Sequence, residues 1–314
     1  MMEYRTLGNT GMEVSLISMG AASFASDPSE SGAEECVRAV HAAIDDGINF
    51  FDVSPFYGDT VCEERLGKAL LGKRDGVFLA TKCGRYGGTE FDFSAKRVAR
   101  SVDESLARLN TDYLDLLQAH DIEFGDLDQI VEETLPAMRE LQDAGKCRFT
   151  GITGYPLHVL RQAAERHEVD TILTYCRYNL LITDMDDVLT AFCRERGIGL
   201  INASPLHMGL LTDTGAPDWH PAPDEVKEAS QRAAALCRSA GVSISDVAMR
   251  FCLDHRYVAT VLVGMSKRRH VDRNLDAVQF RPDPDLMHRV REILAPVQNV
   301  TWPYGWDEPG LLGE

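Results

Sequence analysis

The sequence predicts an α/β fold, a single-domain (β/α)8 TIM barrel, on three observations. About eight short apolar runs alternate with amphipathic helical stretches along 314 residues. The runs are apolar almost throughout, as strands covered on both faces of a parallel sheet are. No linker-like break divides residues 1–314, so one continuous domain is expected, with 299–314 as a C-terminal tail near the barrel mouth. An open doubly wound sheet is the alternative.

After a turn at Gly8-Asn9-Thr10-Gly11, the expected strands cover residues 14–19, 50–53, 77–82, 113–117 running on to His120, 149–153, 171–175, 199–203 and 258–263. Val98, Val102, Leu106 and Leu109 recur at helical spacing while Lys96, Arg97, Arg100, Asp103 and Glu104 take the other face, so 95–109 reads as an amphipathic helix. Stretches 126–144, 157–166, 185–196, 225–240, 245–253, 267–278 and 285–294 read the same way. Gly145, Gly197 and Gly241 follow three of them, in the role that closes a helix. The first strand leads into Met19-Gly20-Ala21-Ala22-Ser23-Phe24, without the Gly-x-Gly-x-x-Gly of a dinucleotide-binding open sheet. That weighs for the barrel.

Thirty-two Lys and Arg stand against 49 Asp and Glu, a net charge of −17, and such a field repels polyanions. No nucleic-acid or membrane partner is expected. The first twenty residues are broken by Glu3, Arg5, Asn9 and Glu13, and no stretch reaches the roughly 18 apolar residues of a membrane span. The 8 cysteines form no Cys-x-x-Cys pair, which speaks against disulfides and a metal site and for free thiols in a reducing cytoplasm. A monomer or small homo-oligomer is expected.

Barrel enzymes place their chemistry at the C-terminal ends of the strands. Polar residues interrupt the apolar runs at those ends: Asp52 after Phe50-Phe51, Lys82 after Ala80-Thr81, and His120 after Gln118-Ala119, with Tyr57 in the loop Ser54-Pro55-Phe56-Tyr57-Gly58. Singly, each has a structural explanation, such as an ion pair between Lys82 and Asp52 or a packed aromatic at Tyr57. Together they describe a proton-transfer site. A free tyrosine has a pKa of about 10, and an ammonium at about 4 Å with an effective dielectric near 20 is worth about 4 kcal/mol, or roughly three pKa units. Lys82 is therefore expected to bring Tyr57 toward neutrality, less what Asp52 offsets.

The opening Glu3-Tyr4-Arg5-Thr6-Leu7-Gly8, the run Phe51-Asp52-Val53-Ser54-Pro55-Phe56-Tyr57-Gly58, Thr81-Lys82 and the late Gly264-Met265-Ser266 resemble the aldo-keto reductases over nearly the whole chain. Stretches 82–86, 120–125, 202–211, 217–221 and 300–303 resemble the branch that oxidises aldoses at C1. The resemblance implies hydride transfer with Tyr57 as general acid and base, Lys82 tuning it, Asp52 holding Lys82 and His120 orienting the substrate oxygen. The substrate it implies is an aldose of the L-galactose or L-fucose type, oxidised to the lactone. The alternatives are an NADPH-dependent aldehyde or ketone reductase and a cofactor-sensing regulatory binding subunit.

For the cofactor, Lys267-Arg268-Arg269 with Arg273 form a cationic cluster at an expected helix start, a ready anion site. They favour NADP, with NAD as the alternative, since a 2′-phosphate needs cations. The resemblance adds Gly20, Thr153, Tyr175, Ser204, Leu206, Gly264, Ser266, His270 and Asn274 as cofactor contacts. It departs from the family where Thr153-Gly154 replaces Ser-Asn and Tyr175 replaces Gln. A sugar pocket needs hydrogen-bonding groups, because an unpaired buried hydroxyl costs about 1–3 kcal/mol. Asp121, Glu123, Arg177, Tyr178, Trp219 and His220 are the candidates, with Trp302, Tyr304 and Trp306 as an aromatic tail able to cover the mouth.

Overall fold

The structure, a computed structural model, describes residues 2–302. The N-terminal strands Tyr4–Thr6 (β1) and Glu13–Ser15 (β2) pair as an antiparallel hairpin. Eight parallel strands then close a barrel: Ile17–Gly20 (β3), Phe50–Asp52 (β4), Phe78–Cys83 (β5), Leu114–Ala119 (β6), Cys147–Gly154 (β7), Thr171–Tyr175 (β8), Gly199–Ala203 (β9) and Val258–Gly264 (β10), with β10 pairing back to β3. The open-sheet alternative is excluded. The expected strand at 14–19 is two strands, because the chain leaves the hairpin at Leu16, whose N–H is bonded to the Glu3 carbonyl, and turns into the wall.

Helices Glu30–Asp45 (α1), Val61–Ala69 (α2), Ala95–Leu109 (α3), Leu127–Gln129 (α4), Leu135–Asp143 (α5), Leu157–Arg166 (α6), Ala191–Arg196 (α7), Asp224–Ser239 (α8), Ile244–Leu253 (α9), Arg268–Gln279 (α10) and Pro284–Leu294 (α11) surround the barrel. The helix expected over 126–144 is interrupted by a π-helical turn at Ile130–Thr134. Pro136 sits at the start of α5 and lacks the N–H that a regular turn would use, so the bonding pattern slips there. A second π-helical turn, Asp186–Thr190, opens the helix expected over 185–196. None of the helices in the described residues is long and apolar enough to cross a membrane.

One core lies between strands and helices, where Leu79, Leu114, Leu117 and Ile152 meet Val98, Val102 and Leu135. Another fills the barrel itself: Phe50, Ala80, Leu116, Leu173 and Ile201 pack on Leu7, Met12 and Val14 of the hairpin. The hairpin is thus the floor. Gly8, at φ +54°, lets it seat: a Cβ there would lie 2.3 Å from the Gly199 nitrogen. Arg5 fastens the same segment by donating to the carbonyls of His255 and Val258, at 2.6 and 2.9 Å. With the lower end sealed, the barrel interior opens only at the upper end among the described residues.

Candidate active site

Alternation along each strand sends every second side chain inward. On β4 the inward pair is Phe50 and Asp52. On β5 it is Ala80 and Lys82, and on β6 it is Leu116 and Gln118, with His120 next in the series. The lower members fill the barrel and the upper, polar ones line a cavity of about 690 Å3 at the mouth. Asp52, Tyr57, Lys82 and His120 all line it.

Lys82 Nζ donates to Asp52 Oδ1 and, at 2.9 Å, to the Val53 carbonyl. Gln118 Nε2 donates to the other oxygen of Asp52 at 2.9 Å. The ion pair is buried, which makes it a poor source of stability but a stiff one. Lys82 Nζ lies 4.8 Å from the centre of the Tyr57 ring. That ring meets His120 edge-on, with centroids 5.6 Å apart. His120 Nδ1 is 3.0 Å from Ser54 Oγ, which leaves Nε2 for the cavity.

Burial pushes the Tyr57 phenol up to about 12, outweighing the opposite pull of Lys82, while Asp52 and Asp121 add to the rise. The expectation of a phenol near neutrality is therefore corrected. At neutral pH the Tyr57 phenol therefore keeps its proton and can donate it. Burial, with Lys82 and Arg85 nearby, holds His120 well below its ordinary value, so its imidazole is neutral and can donate one hydrogen bond.

Of the other expected residues, Gly20, Thr153, Tyr175, Ser204, Leu206 and Gly264 line the same cavity, as do Asp121 and Trp219. Trp219, 66% exposed, stands at its rim. Four expected sugar contacts lie off the lining. Glu123 is buried behind it, accepting from the Tyr155 N–H at 2.9 Å, and burial together with Asp121 drives its carboxyl well above the carboxylate range. Arg177 pairs with Asp184 over the Tyr155 ring. Tyr178 stacks on Phe251 at 5.3 Å, and both ring nitrogens of His220 are engaged by backbone groups of His207 and Ala222. Trp302 is buried against Tyr155 and does not line the mouth cavity. Tyr304 and Trp306, and the tail beyond, lie outside the described residues.

Ser266, Lys267, His270, Arg273 and Asn274 lie past β10, at and along the start of α10. Carboxylates meet most of this cationic cluster: Lys267 pairs with Glu35 at 3.3 Å, Arg268 with Asp46 and Asp272, and Arg273 lies within 4 Å of Asp213 and Asp246. Sequence reasoning counted the cations without these partners. It also passed over Ser54, Arg85 and Gln118. Gln118 was findable, being two residues before His120 on one strand.

A nicotinamide dinucleotide fits what is present. The cavity runs from Tyr57 to Gly20 and Gly264, and α10 begins without a side-chain cap, leaving backbone N–H groups for an anion. Ser23 Oγ, buried with no partner among the described residues, lies 3.6 Å from where a Gly264 Cβ would stand.

Comparison with known proteins shows the family and the fold. The pattern of the Aldo/keto reductase family matches residues 16–295. The chain is 46% identical to L-galactose dehydrogenase of Arabidopsis thaliana, over 96% of this chain and 98% of that one. It is 33% identical to D-arabinose 1-dehydrogenase of Saccharomyces cerevisiae, over 74% and 73%. Among solved structures, an aldo-keto reductase from Bacillus halodurans in its holo form matches with a TM-score of 0.78 at 27% identity, covering 96% of this chain and 98% of that one.

Proposed function

The chain belongs to the aldo/keto reductase family, and we propose that it oxidises a free aldose of the L-galactose or L-fucose type at C1 to the lactone. Likeness to a plant L-galactose dehydrogenase over nearly its whole length is the observation that carries the substrate class. The bound nicotinamide would accept hydride from C1 and bring the positive charge that Tyr57 needs to become a base. Tyr57 takes the proton of the C1 hydroxyl as the C1–H bond breaks and C1=O forms. Lys82 steadies the phenolate, while Asp52, itself braced by Gln118, keeps Lys82 in place. Neutral His120 donates Nε2–H to the same sugar oxygen and fixes its direction. Gly20, Thr153, Tyr175, Ser204, Leu206 and Gly264 would hold the cofactor in the cavity, with Ser266, His270 and Asn274 nearer its far end.

Reduced nicotinamide is expected to appear when L-galactose or L-fucose is supplied, and not with the methyl glycoside of the same sugar. Capping the anomeric oxygen removes the proton that Tyr57 must take. Equal rates with sugar and glycoside would move the attack to another carbon.

For the cofactor, NAD is the better-supported choice over the NADP that local charge alone favours. Glu35 already occupies Lys267, and a 2′-phosphate would have to compete with it. Glu35→Gln is expected to shift the ratio of kcat/KM toward NADP+ by roughly threefold to tenfold, the worth of a partly exposed pair of about 1 kcal/mol. A wild-type enzyme that prefers NADP+, unchanged in Glu35→Gln, would restore the charge argument. The unpaired thiols suit a reducing compartment, and the cytoplasm is the proposed location.

A further inference from the structure

Beside the proton-transfer group lies a second buried pair with no role in the chemistry so far described. Arg85 Nη1 donates to Asp121 Oδ2, and both side chains are nearly inaccessible, yet both line the mouth cavity. The guanidinium carbon lies 3.8 Å from the centre of the Phe56 ring, with the Phe91 and Phe124 rings at 5.2 and 5.6 Å. Three aromatic rings thus surround it.

Two backbone features put the pair there. Gly84 has φ +95°, and a Cβ on it would strike the Phe93 ring at 2.2 Å, so the chain can turn at the end of β5 only without a side chain. Asp121 holds a left-handed φ of 51°, which a residue with a Cβ adopts at a cost. Its N–H donates to Thr153 Oγ1 at 3.0 Å, and its carbonyl accepts from the Phe124 N–H at 3.0 Å. The strain turns the carboxylate toward the catalytic side, 3.7 Å from His120 Nε2. A dry ion pair contributes little stability by itself, so fold stability does not explain this placement.

Resting on the reading of the protein as an aldose C1 dehydrogenase, we propose that Asp121, oriented by Arg85, reads the C2 hydroxyl of the sugar and selects substrates by it. The chemistry singles out C2. His120 Nε2 faces the oxygen on C1, and Asp121 is its immediate neighbour, so the carboxylate meets what is attached next to C1. Two groups qualify: the ring oxygen and the C2 hydroxyl. An ionised carboxylate only accepts hydrogen bonds, and the ring oxygen has no proton to give. The C2 hydroxyl does. Arg85 pulls the Asp121 carboxyl toward its ionised form, against the burial that raises it.

The test uses the whole enzyme, its nicotinamide cofactor and three sugars: L-galactose, its 2-deoxy counterpart and its C2 epimer, L-talose. For the wild type, kcat/KM is expected to fall by about 100-fold on losing or inverting the C2 hydroxyl, as for a hydrogen bond to a charged group whose partner is left unpaired. In Asp121→Asn, L-galactose is expected to lose about as much, while the 2-deoxy sugar stays within about threefold of its wild-type value, there being no bond left to lose. Equal losses on both sugars would make the pair structural and overturn the proposal. So would a wild type that oxidises the 2-deoxy sugar within about threefold of L-galactose, while leaving the C1 dehydrogenase reading intact. Oxidation of none of the free aldoses would remove that reading and this one with it. Should Asp121→Asn not fold, the wild-type comparison decides alone, with Arg85→Lys as the second variant and cofactor binding by fluorescence as the check on its fold.

Discussion

Tyr57→Phe removes one oxygen, keeps the ring against His120, and is expected to lower turnover by roughly 10²–10⁴, the usual contribution of a general acid or base. Cofactor affinity should change little, because the lost hydroxyl faces the sugar. The pH dependence of the wild type carries the same argument with a definite sign. With burial pushing the phenol up to about 12, the base form gains about tenfold per pH unit below its pKa. Sugar oxidation should therefore climb with pH above neutrality, and the reverse reduction should not. Steady-state rates in both directions over the alkaline range measure this. An oxidation profile already flat at neutral pH would mean that the cofactor's charge has brought the phenol down that far, whereas a Tyr57→Phe enzyme with near-normal turnover would assign the base elsewhere.

Lys82→Met is expected to cost both rate and stability. An ammonium about 4 Å from the phenol, at an effective dielectric near 20, is worth about 4 kcal/mol, so turnover should fall about a thousandfold and what remains should demand still higher pH. The variant also leaves Asp52 buried and charged, with Gln118 as its remaining side-chain partner. Breaking such a pair from one side costs about 3–5 kcal/mol. Adding Asp52→Asn should recover part of the denaturation midpoint and none of the turnover. Recovery of turnover in the double variant would show that Lys82 acts only through the fold, and the tuning role would be lost.

Three candidate residues at strand ends, Asp52, Lys82 and His120, were legible in the sequence because β-strand alternation is local. Phe50 and Asp52, Ala80 and Lys82, and Leu116 and His120 share a face by counting in twos. What lay outside local pattern was missed. Arg85 is brought to the cavity by a glycine turn and an aromatic cage assembled from 56, 91 and 124, which no spacing rule connects. Glu35 and Asp46, which meet the cations at the start of α10, sit on and just past α1, more than 200 residues earlier. α1 and α2 themselves escaped notice because their inner faces use Cys36, Ala39, Ala43, Cys62 and Ala69, small side chains that give a weak apolar stripe. The ionisation of Tyr57 was misjudged for a related reason: a charge partner can be read from neighbouring motifs, whereas the depth of burial belongs to the folded molecule.

All eight cysteines are free and buried, Cys83 and Cys252 in the wall of the barrel and its helical coat, and burial drives both thiols far from the reactive thiolate form. A thiol-modifying dye added to the native enzyme thus has almost nothing to label until the molecule opens. The number of sulfurs labelled per minute becomes an intrinsic clock for unfolding that needs no engineered reporter. Because Cys36 and Cys62 lie under α1 and α2, and Cys237 and Cys252 under α8 and α9, mass spectrometry of partly labelled protein would tell which side of the ring of helices lets go first.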